Sequence, residues 1–270
     1  MSTTPVSVIS VTGNNTVING ETLQLIAAVI PTNATDKRIT WSVINGTGTA
    51  TINTNGLLTA TGVGSVTVKA TNVVSGIVGS IVITVEPTLA EVKATAKADL
   101  ATALLTYTVG DYTGANWITL TTAKTNGDAA IDGATDLVGV GNAKKVAINA
   151  MDAVKTIAET AAEALAAAIA AINNADAADM ADVITANAVI LGLDLTNYNA
   201  LADKGTVITA MVALNEANKA TILSVFNAAV ETQKTAEALA AAKATAKSDL
   251  AKALLTYTVG DYTGANWITL

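Results

Sequence analysis

The sequence predicts a multidomain chain, an all-β sandwich followed by an elongated all-α helical bundle. Three observations carry that expectation. Before Pro87, apolar residues alternate with a period of two, and Gly, Asn and Thr punctuate them about every ten residues. After Pro87 the apolar period becomes 3.6. A stretch of helical pattern at residues 93–120 then returns at 243–270, with only Ala98/Ser248 and Thr102/Lys252 differing.

In the first module the strand candidates are TLQLIAAVI (22–30), RITWSV (38–43), TATIN (49–53), GLLTATG (56–62), SVTVKA (65–70) and GSIVITV (79–85). They are short, rich in β-branched residues and bounded by turn residues, which is the pattern of an antiparallel sandwich. Alternation puts Ile39, Trp41 and Val43 on one face, and Val66, Val68 and Ala70 on another. Trp41 is the only aromatic residue before Pro87, so it is expected to anchor the core, burying roughly 200 Å² if enclosed. A sugar-stacking Trp41 would have to be exposed on a strand whose other same-face residues are apolar. Pro31 and Pro87 mark a strand end and the exit from the module.

After Pro87, Thr88 stands as an N-cap with Glu91 completing a capping box. Leu89, Val92, Ala96, Leu100, Leu104 and Tyr107 form one helical face. The loop TVGDYTGAN follows, and a second helix places Trp117, Leu120, Ala123, Gly127, Ala130 and Ala134 on one side. Gly139 and Gly141 are expected to break it. A third helix is expected from about residue 142 to 172, roughly 45 Å at 1.5 Å per residue. A last long helix is expected over about 218–257, running directly into the second copy of the repeat. Alanine-rich faces bring helices close but bury little area per residue, so length must compensate and an elongated bundle follows. The expected units are 1–87, 88–173, 174–242 and 243–270, the last a partial copy of 93–120. A helix shared between units would couple them into a stiff rod.

Composition excludes several chemistries. The 270 residues contain no cysteine and no histidine, which removes disulfides, Cys/His zinc sites, thiol nucleophiles and any His general base. Residues 1–87 carry no net charge, so the whole −7 falls on the remainder. A thinly charged acidic half without a basic stripe argues against nucleic acid and against anionic membranes. MSTTPVSV has neither a basic nor an apolar segment of a signal peptide. The Ala-rich stretch 158–172 is interrupted by Glu159 and Glu163, so no membrane insertion is expected.

Carboxylate patterns read as helix surface. Asp128, Asp132 and Asp136 fall four residues apart, without the glycine turn and alternating ligands of a calcium loop. Asp176, Asp179 and Asp182 suit a helix N-terminus. No pair of carboxylates can be placed across a glycosidase cleft, and GDYTG (110–114) lacks the length and lysine of a phosphate loop. Three sequons, at Asn14, Asn33 and Asn45, arise readily by chance in an Asn/Thr-rich chain. No catalytic residue, metal site or cofactor is expected. The aromatic cluster Tyr107, Tyr112 and Trp117 reads as an inter-helix plug, with sugar stacking as its functional alternative. Tyr112 and Trp117, with Tyr262 and Trp267 in the second copy, are the candidate ligand or partner contacts. The second-copy stub is expected to be frayed or docked on another chain.

Three resemblances add to this. GETLQL (20–25), IPTNAT (30–35), ITWS (39–42), ATINTNGLLTA (50–60) and GSVTVKAT (64–71) resemble the bacterial immunoglobulin-like group 2 family across nearly the whole first module. That resemblance implies an Ig-like sandwich serving as a spacer or adhesion module, without catalytic residues. YTGANWITLTTAK (112–124), AAID (129–132) and AINAMDAVK (147–155) resemble the FIVAR-type three-helix repeats of Gram-positive surface proteins, over about 93–158 and as a fragment at 243–270. Residues 174–230 are similar, more loosely, to helical segments of mosaic surface-layer-type proteins.

The functional expectation is a non-enzymatic structural or spacer segment of a bacterial cell-surface or surface-layer-type protein, extracellular, with self-assembly as a variant. Its partners would be other copies of itself or neighbouring surface-protein modules. One alternative is an adhesin module binding glycan or host protein; another, prompted by the missing signal peptide, is a phage virion component. An end at Leu270 within a helical pattern is expected to mark a fragment, or a subunit completed by its neighbour.

Overall fold

The computed structural model describes residues 3–257 and Gly260. It divides into two compact units, Met1–Val154 and Lys155–Leu270.

The first unit opens with nine strands: β1 (Val8–Thr12), β2 (Thr16–Ile18), β3 (Thr22–Gln24), β4 (Ile26–Ile30), β5 (Ile39–Asn45), β6 (Thr49–Ile52), β7 (Leu57–Gly62), β8 (Gly64–Asn72) and β9 (Val78–Glu86). They form a two-stranded ribbon β1-β4, a four-stranded sheet β2-β9-β8-β5 and a three-stranded sheet β3-β7-β6. All pairings are antiparallel except β2 with β9, which is parallel. The expected strand at 22–30 is in fact two. At Leu25 the chain leaves the β7 partner and joins β1, and the Leu25 side chain drops into the core with 1% exposed. Its N–H is satisfied across the break by the Gly56 carbonyl at 2.9 Å.

Alternation does the sorting in β8, where Val66, Val68 and Ala70 are sealed while their neighbours are not. Ile39, Trp41 and Val43 share a face of β5. Trp41 is half-buried rather than enclosed: it packs against both the inter-sheet core around Leu58, Val68 and Ile83 and the smaller core around Ile9 and Ala70. It links two cores as their seam. Its indole lies against the turn at Gly56, where φ is +79° and a Cβ would come within 2.9 Å of the ring, so this turn demands glycine.

The sandwich runs into α1 (Leu89–Leu104), followed by a short 3₁₀ turn Val109–Asp111, α2 (Gly114–Gly133) and α3 (Leu137–Asp152). The Thr88–Glu91 capping box forms as expected. The three helices enclose Ala96, Leu100, Leu120, Ile131, Val140, Ala147 and Met151. On α2 the sealed positions are Leu120, Gly127 and Ile131, whereas Ala130 is exposed. Gly139 and Gly141 do not break a helix; they lie in the first turns of α3, whose N-cap Asp136 accepts from Gly139 N at 2.7 Å. The acidic stripe is likewise divided among roles: Asp128 pairs with Lys124, Asp132 with Lys97, and Asp136 caps α3.

The second unit holds α4 (Ile157–Asn174), α5 (Met180–Leu191), α6 (Leu195–Ala200), α7 (Gly205–Val212) and α8 (Lys219–Leu254). The expected continuous helix over 142–172 is therefore divided between α3 and α4. Thr156 starts α4 with a second capping box, closed by Glu159, and an N-cap satisfies orphan N–H groups only where a new helix begins. The core gathers Ile172, Met180, Ile184, Leu191, Tyr198, Met211, Ile222 and Phe226. Tyr198 and Phe226 meet at 5.5 Å between ring centroids. Asp176 accepts from the N–H groups of Ala178 and Asp179 ahead of α5, the N-terminal role expected of that cluster.

Helix α8, capped by Asn218, has 36 residues and a length of about 54 Å. Its packed part ends near Gln233 and Glu237. Thr206 donates to the Gln233 side chain, and the Glu237 carboxylate accepts the N–H groups of Ala202 and Asp203. From Ala238 to Tyr257 every residue is exposed.

Candidate functional site

Two surfaces of the three-helix region have features that could meet a ligand or partner. The first is an aromatic ladder where α1 turns into α2. Tyr107 and Tyr112 stand 6.2 Å apart, edge to face, and Tyr112 and Trp117 stand 6.1 Å apart at 49°. The 3₁₀ turn brings Tyr112 back under Tyr107, and Thr113, which caps α2 through Asn116 N, sets Trp117 one turn in. Tyr107 and Tyr112 pack against the helical core, and all three rings are half-buried. The Tyr107 hydroxyl donates to Asp152 Oδ1 at the end of α3. Burial, reinforced by that bond and by the Asp152 charge, pushes the Tyr107 phenol up to about 12. The ladder thus joins all three helices and still shows ring surface to solvent. Tyr262 and Trp267, the equivalents in the second copy, lie outside the described residues.

The second surface is a groove of about 710 Å³ along α2 and α3. Its floor is small, Ala123, Gly127, Ala143 and Ala147, and its walls carry Ile118 and Val146, 65% and 67% exposed. None of its lining residues is charged. Sequence reasoning did not find it. The small residues were legible as a packing stripe, but the pattern of one helix does not show that two such stripes leave an open trough between them.

A smaller cleft of about 440 Å³ lies where the sandwich meets α1, among Val63, Pro87, Val92, Asp99 and Lys144. There Asn19 Nδ2 donates to Glu91 Oε1 at 2.7 Å, tying the turn after β2 to the first turn of α1. Among the described residues, no three or more Asp and Glu side chains gather as ligands for a metal ion. No single described helix is long and apolar enough to cross a membrane.

Residues 4–78 match the family model of the bacterial Ig-like domain (group 2). Among solved structures, the chain is similar to an intimin mutant of EHEC O157:H7, with 24% identity over 33% of this chain and 54% of that one and a TM-score of 0.23. It is also similar to an intimin–Tir90 complex, at 22% identity over 34% of this chain and 58% of that one, with a TM-score of 0.25. The chain spans little more than half of either structure. No curated protein matches it.

Proposed function

We propose that this chain is a non-catalytic structural segment of a bacterial cell-surface protein, in which an Ig-like module and helical repeats space and display their neighbours. The observation that carries this reading is the junction at Pro87. Strand β9 ends at Glu86 and α1 begins at Leu89, with Thr88 as cap and Asn19 bonded to Glu91 across the joint. A sandwich coupled to a helix without a loop transmits orientation, which a spacer needs and a flexible tether does not. The Ig-like match supports the surface setting, and the FIVAR-like pattern of α1 to α3 agrees with it. Small-angle scattering of the purified chain tests the reading. An extended particle whose dimensions hold across ionic strength is expected; a collapsed globule would sink it.

A second reading, an adhesin module, is favoured by the half-exposed ladder of Tyr112 and Trp117. Glycan-array binding that is lost in Trp117→Ala, with helix content unchanged, would establish it in place of pure spacing.

A further inference from the structure

We infer that the outer half of α8 is a docking helix, and that its seat is the open α2–α3 groove of a second copy of this chain. This deepens the spacer reading by naming a self-association site, and relies on it only for the biological setting.

The repeat makes the argument. Shifted by 150 positions, the inward face of α1 at Leu89, Ala96, Leu100, Ala103 and Leu104 returns as Leu239, Ala246, Leu250, Ala253 and Leu254. The two substitutions within the repeat, Ala98/Ser248 and Thr102/Lys252, fall at positions that are exposed on α1. Within the repeat the packing face is thus kept while the solvent face varies, and the change at Val92/Ala242 falls just ahead of it. In the first copy that face is sealed by α2 and α3, and Leu100 is 0% exposed. In the second, Leu250 is 69% exposed and Leu254 41%. A helical face already fitted to an α2–α3 surface is left uncovered.

The same two helices offer a further surface of matching chemistry. Gly127, which lies against Leu100 at the α1 interface, and Ala147, which belongs to the same core, also floor the open groove. The groove lining and the apolar stripe of the tail are both free of charge. From Ile118 to Ala130 the groove follows α2 for about 18 Å, and Leu239 to Leu254 spans about 22 Å of helix. Exchange with α1 in its own seat is disfavoured, because α1 holds Val92 where the tail has Ala242 and is tethered by the Asn19–Glu91 bond. The seated tail completes a four-helix arrangement. Since tail and groove are different surfaces, the contact is heterologous and propagates head to tail.

Sedimentation of the full chain over a range of concentrations tests this. Mass is expected to rise beyond a dimer as concentration increases. Leu250→Glu with Leu254→Glu, at exposed tail positions, should hold the chain monomeric with unchanged helix content. Val146→Glu in the groove should do the same, and Ile118→Glu serves if that variant is poorly folded. An equimolar mixture of the tail and groove variants should form a dimer and nothing larger, because one good tail meets one good groove. A wild-type chain monomeric throughout, a mixture that stays monomeric, or groove variants that associate like wild type would overturn the proposal. The last result would place the tail against another tail or in the α1 seat. A monomeric chain that is still extended by scattering would remove the docking and leave the spacer reading standing.

Discussion

Asn19 in the sandwich and Glu91 in the first turn of α1 are joined by a 2.7 Å hydrogen bond, and the other Glu91 oxygen accepts from both the N–H and the hydroxyl of Thr88. One carboxylate therefore caps a helix and fastens it to the preceding module. The Thr88 N–H, the Asn19 amide and the Thr88 hydroxyl together hold the Glu91 pKa below its ordinary value of 4.5. A carboxylate lowered in the folded state stabilises fully above its ordinary range, and that contribution is lost as pH falls through the folded pKa. Glu91→Gln should therefore unfold at lower urea than wild type at pH 7, and the gap should close on acidification below about 4.5. Urea midpoints across that range measure it; a gap that does not change with pH would show that the charge is not involved.

Leu100 and Leu250 occupy the same place in the same repeated sequence, yet one is sealed and the other open. Leu100→Ala should cost about 2–5 kcal/mol by loss of buried surface and the cavity left behind. Leu250→Ala should stay within about 0.5 kcal/mol, as exposed substitutions do. Denaturant titrations of dilute protein compare the two. Equal losses would mean that the second helix is covered within the chain itself.

The sequence disclosed some features of this architecture more readily than others, for local reasons. The box at Thr88 and Glu91, the Asn218 start of α8 and the alternation of β8 are written in contiguous residues, and each formed as read. Strand β1 is only faintly marked: VISV alternates, but the Thr, Ser and Asn around it read locally as turn. Strand β2 was not legible, because its three residues are held by parallel pairing with β9, nearly seventy positions away. The α3–α4 break was signalled by Thr156 and Glu159 and masked by an alanine stripe that continues through it. Of the candidate site, the aromatic spacing could be read directly. The groove needed two helices in register.

Asn72 shows how the last residue of a strand can be a structural keystone. It ends β8 with 2% of its surface exposed, donates to the carbonyls of Asp36 and Arg38, and accepts from the N–H groups of Val74 and Ser75. Replacing it with alanine takes this partner from the Asp36 carbonyl and from the Val74 and Ser75 N–H groups, whereas the Arg38 carbonyl keeps the Val73 N–H at 3.0 Å. Asn72→Ala should cost about 2–4 kcal/mol, since each buried unsatisfied group costs about 1–3 kcal/mol. Asn72→Asp keeps the acceptor but turns a carboxylate oxygen toward the Asp36 and Arg38 carbonyls from a buried position, so it should cost at least as much as alanine. Thermal unfolding of the three chains tests the order; a neutral Asn72→Ala would show that water replaces the side chain.

Tyr107 gives a prediction on the alkaline side. Its phenol is raised to about 12 by burial first and by the bond to Asp152 second, whereas an unfolded tyrosine ionises near 10. Between those values the unfolded chain has lost a proton that the folded chain keeps. The stabilisation is therefore complete below about 10 and is lost as pH rises through about 12. Tyr107→Phe should lose about 1 kcal/mol at pH 8, the worth of one partly exposed hydrogen bond, and should unfold with a shallower alkaline slope. The ultraviolet difference between wild type and variant should show one phenol ionising close to 12. A transition near 10 would mean that Asp152 does not hold the hydroxyl in solution. The ladder would then lack its tie to the end of α3, leaving its rings freer to open toward a ligand, which would favour the adhesin reading over the spacer.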